Sequence, residues 1–349
     1  KTMFRLLPAL AALFTLTSTM HADPHSQRPL RDHAHRQNLH IGAAVATQNF
    51  QSDSPNFDAR YNAVLAREFS AVTPENLMKP SYLQPKRGEF DFVLADKFMD
   101  FAEQNAQRVR GHTLVWHMQN GKWLEETTWT RQTLLENMES HIAAVVGRYK
   151  GRIATWDVLN EAISDGAGHG RRDSIYQKII GDDYIEAAFR AAHRADPSAK
   201  LHYNDYGGEG LGGKSDAIYN LVKGLKERGV PIHGVGLQMH RSIFDAPSDQ
   251  DFRANLKRLR ALGLDVHITE IDIRFPLPAT PEKLEKQAQT YARLLQVFRE
   301  EGGTEWTFWG FTDAKSWVPK WFKGDGAALI FDENYEKKPA YFSILKGLK

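Results

Sequence analysis

β-prone runs and amphipathic helical patterns alternate about eight times along this chain. The alternation predicts an α/β fold, a single (β/α)8 TIM barrel, because parallel strands need long return connections and helices supply them. A second observation favours closure of the sheet. Glu75, His117, Glu161, Tyr206, His240, Glu270 and Trp309 each lie at or just past an expected strand end, at intervals of 30 to 45 residues. Each interval is the length of one strand–helix unit, and barrels gather polar residues at the C-terminal ends of their strands. The third observation is length: 349 residues are enough for one large barrel.

Strands are expected at 41–46, 69–73, 109–116, 154–159, 201–204, 235–238, 266–269 and 306–310. Between them, Leu135, Met138, Ile142, Val145, Val146 and Tyr149 share one helical face. Leu284, Ala288, Tyr291, Leu295 and Phe298 share another, as do Ile218, Leu221, Val222 and Leu225, and Leu94, Phe98, Phe101 and Ala102. An open doubly wound sheet is the competing fold. It would place a glycine-rich phosphate loop after an early strand. The spacing of Gly208, Gly210 and Gly213 fits such a loop but follows the fifth strand, with no acidic strand end about 20 residues on. That loop reads as flexible surface.

Composition is that of an ordinary globular protein, with 42% hydrophobic and 25% charged residues. A net charge of +2 without a basic run gives no footprint for nucleic acid. Cysteine is absent, so thiolate metal sites and cysteine nucleophiles are excluded. No metal and no cofactor is expected. Lys1, Arg5, the apolar stretch 6–16 and Met20-His21-Ala22 resemble a secretory signal. Residues 1–22 are therefore expected to be removed on export, to the periplasm or outside the cell. The polar stretch 23–38 is expected to be a flexible lead-in, and 39–349 the catalytic domain. No membrane segment is expected, since the apolar run is too short to span one. A monomer is expected.

Two segments carry the chemistry: ATWDVLNEA at 154–162 and VHITEIDI at 266–273. Each is an apolar strand leading to a glutamate, Glu161 or Glu270. Burying an unpaired carboxylate is costly, so two strand-end glutamates point to a shared cleft. Glycosidic bond cleavage needs such a pair; with retention of configuration the carboxyls stand about 5–5.5 Å apart. One must hold a proton and the other must be ionised, and close like charges favour that sharing. Asn160 precedes Glu161 and can bond a sugar hydroxyl. His240 and Asp272 can form a Glu–His–Asp chain that keeps Glu270 ionised. Glu270 is then the nucleophile and Glu161 the acid/base. Four of the eight tryptophans lie between 306 and 321, where lysines suggest a wet segment. Trp309 and Trp317 read as sugar platforms, Trp156 and Trp306 as core.

The segments GHTLVWH (111–117), WDVLNEA (156–162), GLQMH (236–240) and HITEIDI (267–273) together resemble glycoside hydrolase family 10 endo-β-1,4-xylanases. TPENLMKP (73–80), YNDY (203–206), Trp309 and Trp317 extend the resemblance across the chain. It implies an eight-stranded barrel, retention by double displacement, and xylan or xylo-oligosaccharides as the partner. It assigns the acid/base to Glu161 and the nucleophile to Glu270. It places Glu75, Asn76 and Lys79 two sugars toward the non-reducing side. His112, Trp116, Gln119, Asn160, Gln238 and His240 would line the sugar at the broken bond, under Trp309 and Trp317. Tyr206 would carry the first leaving-side sugar. Such enzymes often follow YNDY with another polar residue, whereas here Gly207 and Gly208 follow.

Two other readings compete. His112, His117, His240, His267 and Asp272 could hold a metal on a metal-dependent barrel hydrolase. No strand carries an HxH pair, which weighs against it. A non-catalytic carbohydrate-binding barrel would be expected to have lost one of the two carboxylates, and both are present.

Overall fold

A computed structural model describes residues 28–50 and 57–349. The expected leader, residues 1–22, lies outside the described residues. Eight parallel strands form the barrel: β1 (His40–Val45), β2 (Ala71–Pro74), β3 (Arg108–Val115), β4 (Thr155–Asn160), β5 (Lys200–Asp205), β6 (Gly234–Leu237), β7 (Asp265–Pro276) and β8 (Glu305–Phe308). Each pairs in parallel with the next. β8 pairs with both β7 and β1, which closes the ring.

A helix follows every strand. The four expected helical faces fall on Val93–Gln104, Arg131–Arg148, Gly213–Glu227 and Pro281–Glu300, with Tyr149 capping the end of the second. Ile218, Leu221, Val222 and Leu225 are buried, as is the 138/142/145/146 row. Leu134 replaces Leu135 as the first fully buried residue of that row, Leu135 being only half-covered. The core is the shell between strands and helices, where Phe298 packs on Trp306 with ring centres 5.6 Å apart. Each fully buried aromatic there contributes roughly 2–3 kcal/mol. Trp156 and Trp306 are core, as expected.

The barrel interior is polar at the N-terminal ends of the strands. Arg110 bonds Asp157 and Glu305 and approaches His202 and His267, all buried. Buried charges persist only when paired in this way. The packing leaves no room at Gly111, where a Cβ would stand 2.2 Å from the Trp156 ring.

Two expectations need correction. Part of the expected lead-in is ordered: Leu30–His35 is a helix with Leu30, His33 and Ala34 buried. Arg31 fixes it by donating to the Ala66, Asn105 and Ala106 carbonyls. Local polarity hid the two apolar anchors, Leu30 and Ala34. β7 also runs well past residue 269, to Pro276. The short strand His240–Ser242 pairs with that extension, so His240 faces Asp272. A register shift between Ile268 and Ile271 interrupts the β7–β8 pairing around Glu270.

Candidate active site

Glu161 is the first residue after β4. Its φ is +57°, a left-handed value that is costly for a side-chain-bearing residue. Three hydrogen bonds pin it. Glu161 N–H donates to the Asn204 carbonyl at 2.8 Å, Ala162 N–H donates to the Tyr203 hydroxyl at 3.0 Å, and Arg172 Nε donates to the Glu161 carbonyl at 2.8 Å. The carboxylate accepts from Trp116 Nε1 at 2.9 Å and from Gln238 Nε2 at 3.0 Å. His117 Nδ1 stands 3.9 Å away.

Glu270 sits deeper, only 4% exposed. Asn204 Nδ2 donates to one oxygen at 2.7 Å and His240 Nε2 lies 3.0 Å from the other. Burial pushes the Glu270 carboxyl up, but the His240 hydrogen bond, the His112 and His240 charges and Asn204 outweigh it and hold it below its ordinary range. His240 Nδ1 is 2.8 Å from Asp272 Oδ2, which also accepts Trp317 Nε1 at 2.7 Å. A ring with a carboxylate on each nitrogen must donate from both, so it is an imidazolium. Burial works against that charge, yet Asp272 and Glu270 raise its pKa to about 10. The Glu–His–Asp chain is present as expected.

The two glutamates belong to one network. Asn160 Oδ1 accepts from Gln238 Nε2 at 3.2 Å and from Asn204 Nδ2 at 2.9 Å. An unbroken run therefore passes from Glu161 through Gln238, Asn160 and Asn204 to Glu270. Thr269 Oγ1 donates to Asn204 Oδ1 at 2.7 Å and so fixes the amide. The close approach needs Gly236, where a Cβ would lie 2.2 Å from that oxygen.

Lys79, in isolation a candidate for a solvated charge, is 4% exposed. Its ammonium bonds Gln119 Oε1 at 2.8 Å and Asn76 Oδ1 at 3.2 Å, and lies 4.7 Å from the Trp116 ring. Burial lowers its pKa, while Glu270, Glu75 and Glu161 oppose that. Burial raises Glu75, which Lys79 counters. One cation thus feels all three glutamates. Gln119 Nε2 closes the group on Asn76 at 3.1 Å. His112 bonds Asp157 at 2.9 Å and sits edge-on to Trp309, which itself stands edge-on to His240. Trp309 is mostly buried and Trp317 half-exposed, so only Trp317 has the wet setting expected of both.

Tyr206 is half-buried, and Lys214 Nζ lies 3.4 Å from its ring centre, covering one face. The glycine loop after β5 is not simple flexible surface. Glu209 is fully buried, accepts from Gly207 and Met239 N–H and pairs with Arg241. Glycine spacing suggested mobility, but one buried carboxylate binds this loop to the turn before His240. The histidines are not gathered around one point. His112 serves Asp157, His117 lies near Glu161, His240 bridges Glu270 and Asp272, and His267 faces Arg110 and Glu305. Among the described residues no cluster of three or more His, Asp or Glu is arranged to hold a metal. Asn204 carries half of the network, yet sequence reasoning placed it only inside YNDY; Arg172 and Lys214 carried no signal at all.

A closed barrel with two networked glutamates at its C-terminal rim, one held as a carboxylate by an imidazolium, defines a glycoside hydrolase. The family model described as glycosyl hydrolase family 10 matches residues 29–347, and the chain belongs to that family. It is 44% identical over 340 residues to endo-1,4-beta-xylanase B of Thermotoga neapolitana, covering 97% of this chain and 96% of that protein. It is 40% identical over 323 residues to the endo-1,4-beta-xylanase of Geobacillus stearothermophilus, covering 87% and 94%. Native xylanase 10B from Thermotoga maritima superposes with a TM-score of 0.88 at 45% identity, over 92% of this chain and 98% of that one. Xylanase 10B from Thermotoga petrophila RKU-1, solved in complex with xylobiose, gives the same score and identity over 92% and 97%.

Proposed function

We propose that this protein is an exported endo-1,4-β-xylanase that cleaves internal bonds of xylan with retention of configuration. The observation that carries the mechanism is the asymmetry of the two carboxyls. Glu270 is locked between an imidazolium and an amide, which favours the anion. Glu161 is met by an indole N–H and an amide, beside a half-covered cleft.

Glu270 attacks the anomeric carbon while Glu161 gives its proton to the glycosidic oxygen, and that bond breaks. A glycosyl ester on Glu270 results. Glu161, now a carboxylate, takes a proton from water as the water oxygen attacks the same carbon and Glu270 departs. Two inversions make one retention. Asn160 Oδ1 is occupied by two donors, which leaves its amide N–H groups for a sugar hydroxyl. Lys79, Asn76, Gln119 and Glu75 offer alternating donors and acceptors for the neighbouring sugar. The relatives' names and the xylobiose complex of the Thermotoga petrophila enzyme support xylan as substrate. The signal-like residues 1–22 support export.

The test is Glu270→Ala. Activity should fall by more than about a thousandfold, as loss of a covalent nucleophile requires, and added azide should yield a glycosyl azide of inverted configuration. Xylan hydrolysis at the wild-type rate by that variant would remove Glu270 from the reaction.

A further inference from the structure

Asp205, the last residue of β5, has no part in the chemistry above, yet it is fully buried beside the Glu161 turn. One of its oxygens accepts Tyr206 N–H at 2.9 Å and the Lys214 ammonium at 3.2 Å. The other accepts the Tyr203 hydroxyl, and Tyr203 in turn receives Ala162 N–H at 3.0 Å. The phenol must give its single proton to Asp205, so its oxygen is free to accept from the backbone. Asp205 thereby orients one of the three bonds that hold Glu161 in its left-handed conformation.

We propose that Asp205 is a positioning residue for the acid/base: through Tyr203 it fixes the Glu161–Ala162 peptide and so the direction in which Glu161 leaves the strand. The inference rests on the reading of Glu161 as the acid/base.

Burial pushes the Asp205 carboxyl up to about 7; Lys214 pulls it down and the Glu161 charge pushes it up. The other charged and titratable groups facing the two carboxyls include Lys79 after β2, His117 after β3, Arg172 and Asp165 after β4, Tyr184 on the helix Asp183–Ala195 and Tyr206 after β5. Arg172 and Lys214 are both shared with Asp165, which leaves Asp205 the one fully buried carboxyl of that group. Lys214 reaches it because position 207 is glycine: a Cβ there would stand 3.2 Å from the lysine stem.

Asp205→Asn and Tyr203→Phe test the two links of that chain. Each is assayed on xylotetraose, whose leaving group needs a proton, and on dinitrophenyl xylobioside, whose leaving group does not. Tyr203→Phe should lower kcat on xylotetraose at least about fivefold, and Asp205→Asn should lower it in the same direction, each with less than about threefold change on the aryl substrate, as a displaced general acid requires. Unchanged kcat on xylotetraose in both variants, or equal losses on both substrates, would overturn the proposal. If Asp205→Asn does not accumulate, Tyr203→Phe decides alone: unchanged kcat on xylotetraose refutes the positioning role. Failure of the acid/base reading itself would show separately, as equal losses on both substrates in Glu161→Ala.

Discussion

His240 should stay protonated far above the neutral range, and that follows from its two carboxylate partners. Asp272 Oδ2 and Glu270 Oε2 lie 2.8 and 3.0 Å from its ring nitrogens. Its side chain is only 12% exposed. The difference between the ordinary 6.5 and about 10 corresponds to on the order of 4–5 kcal/mol of favourable charge interaction, shared between the two partners. A folded-state pKa raised above the unfolded value gives stability that is complete below pH 6.5 and is lost as pH rises through about 10. Removing the larger partner with Asp272→Asn should bring the loss of that proton down toward the unperturbed value. Above the new pKa, Glu270 faces a neutral ring, and a charge-assisted hydrogen bond of about 1.5–3 kcal/mol is weakened. Nitrogen-15 NMR of the histidine side chains should show a wild-type His240 imidazolium still charged at pH 8. In Asp272→Asn the same resonance should titrate at least about two pH units lower. Differential scanning calorimetry should show the variant losing several °C between pH 6 and 9 while the wild type stays nearly flat. A wild-type His240 that titrates near 6.5, or identical pH dependence in both proteins, would refute the imidazolium bridge.

Two further outcomes follow. Glu161→Ala should lose at least about a hundredfold on xylan yet far less on aryl xylosides with good leaving groups, as removal of a general acid requires; matched substrate kinetics check it. Gly111→Ala should destabilise by roughly 1–3 kcal/mol or more, because its Cβ meets the immovable buried Trp156 ring at 2.2 Å; urea unfolding followed by tryptophan fluorescence measures it.

The barrel was legible because strand and helix periods differ and polar residues punctuate the strand ends. The placement of the two strand-end glutamates and the His240–Asp272 contact were legible for the same reason: carboxylates at the ends of apolar strands are expensive and hence informative. What stayed hidden depends on contacts between loops that no period encodes. Asn204 is an ordinary polar residue in sequence. Its weight comes from Gly236, which lets its amide approach, and from Thr269, which fixes which end faces Glu270. Lys214 and Arg172 lie 9 and 11 residues past their strand-end partners Asp205 and Glu161. Only the fold brings both to Tyr206 and Asp165.

The same contrast explains why the site is built in two layers. On the proposed function, residues that meet the sugar must tolerate water, and Glu161, Trp317 and Tyr206 are partly accessible. Their geometry has to be enforced from behind, by groups that water cannot loosen. Asp157 behind His112, Asp272 behind His240, Asn204 behind Glu270 and Asp205 behind the Glu161 turn are each at most 1% exposed. Each holds its neighbour through at least one hydrogen bond, and a wholly unpaired polar group at that depth would cost about 1–3 kcal/mol or more. The deep layer therefore converts the rigidity of the barrel into fixed directions for the outer one, which is what differential stabilisation of a transition state requires.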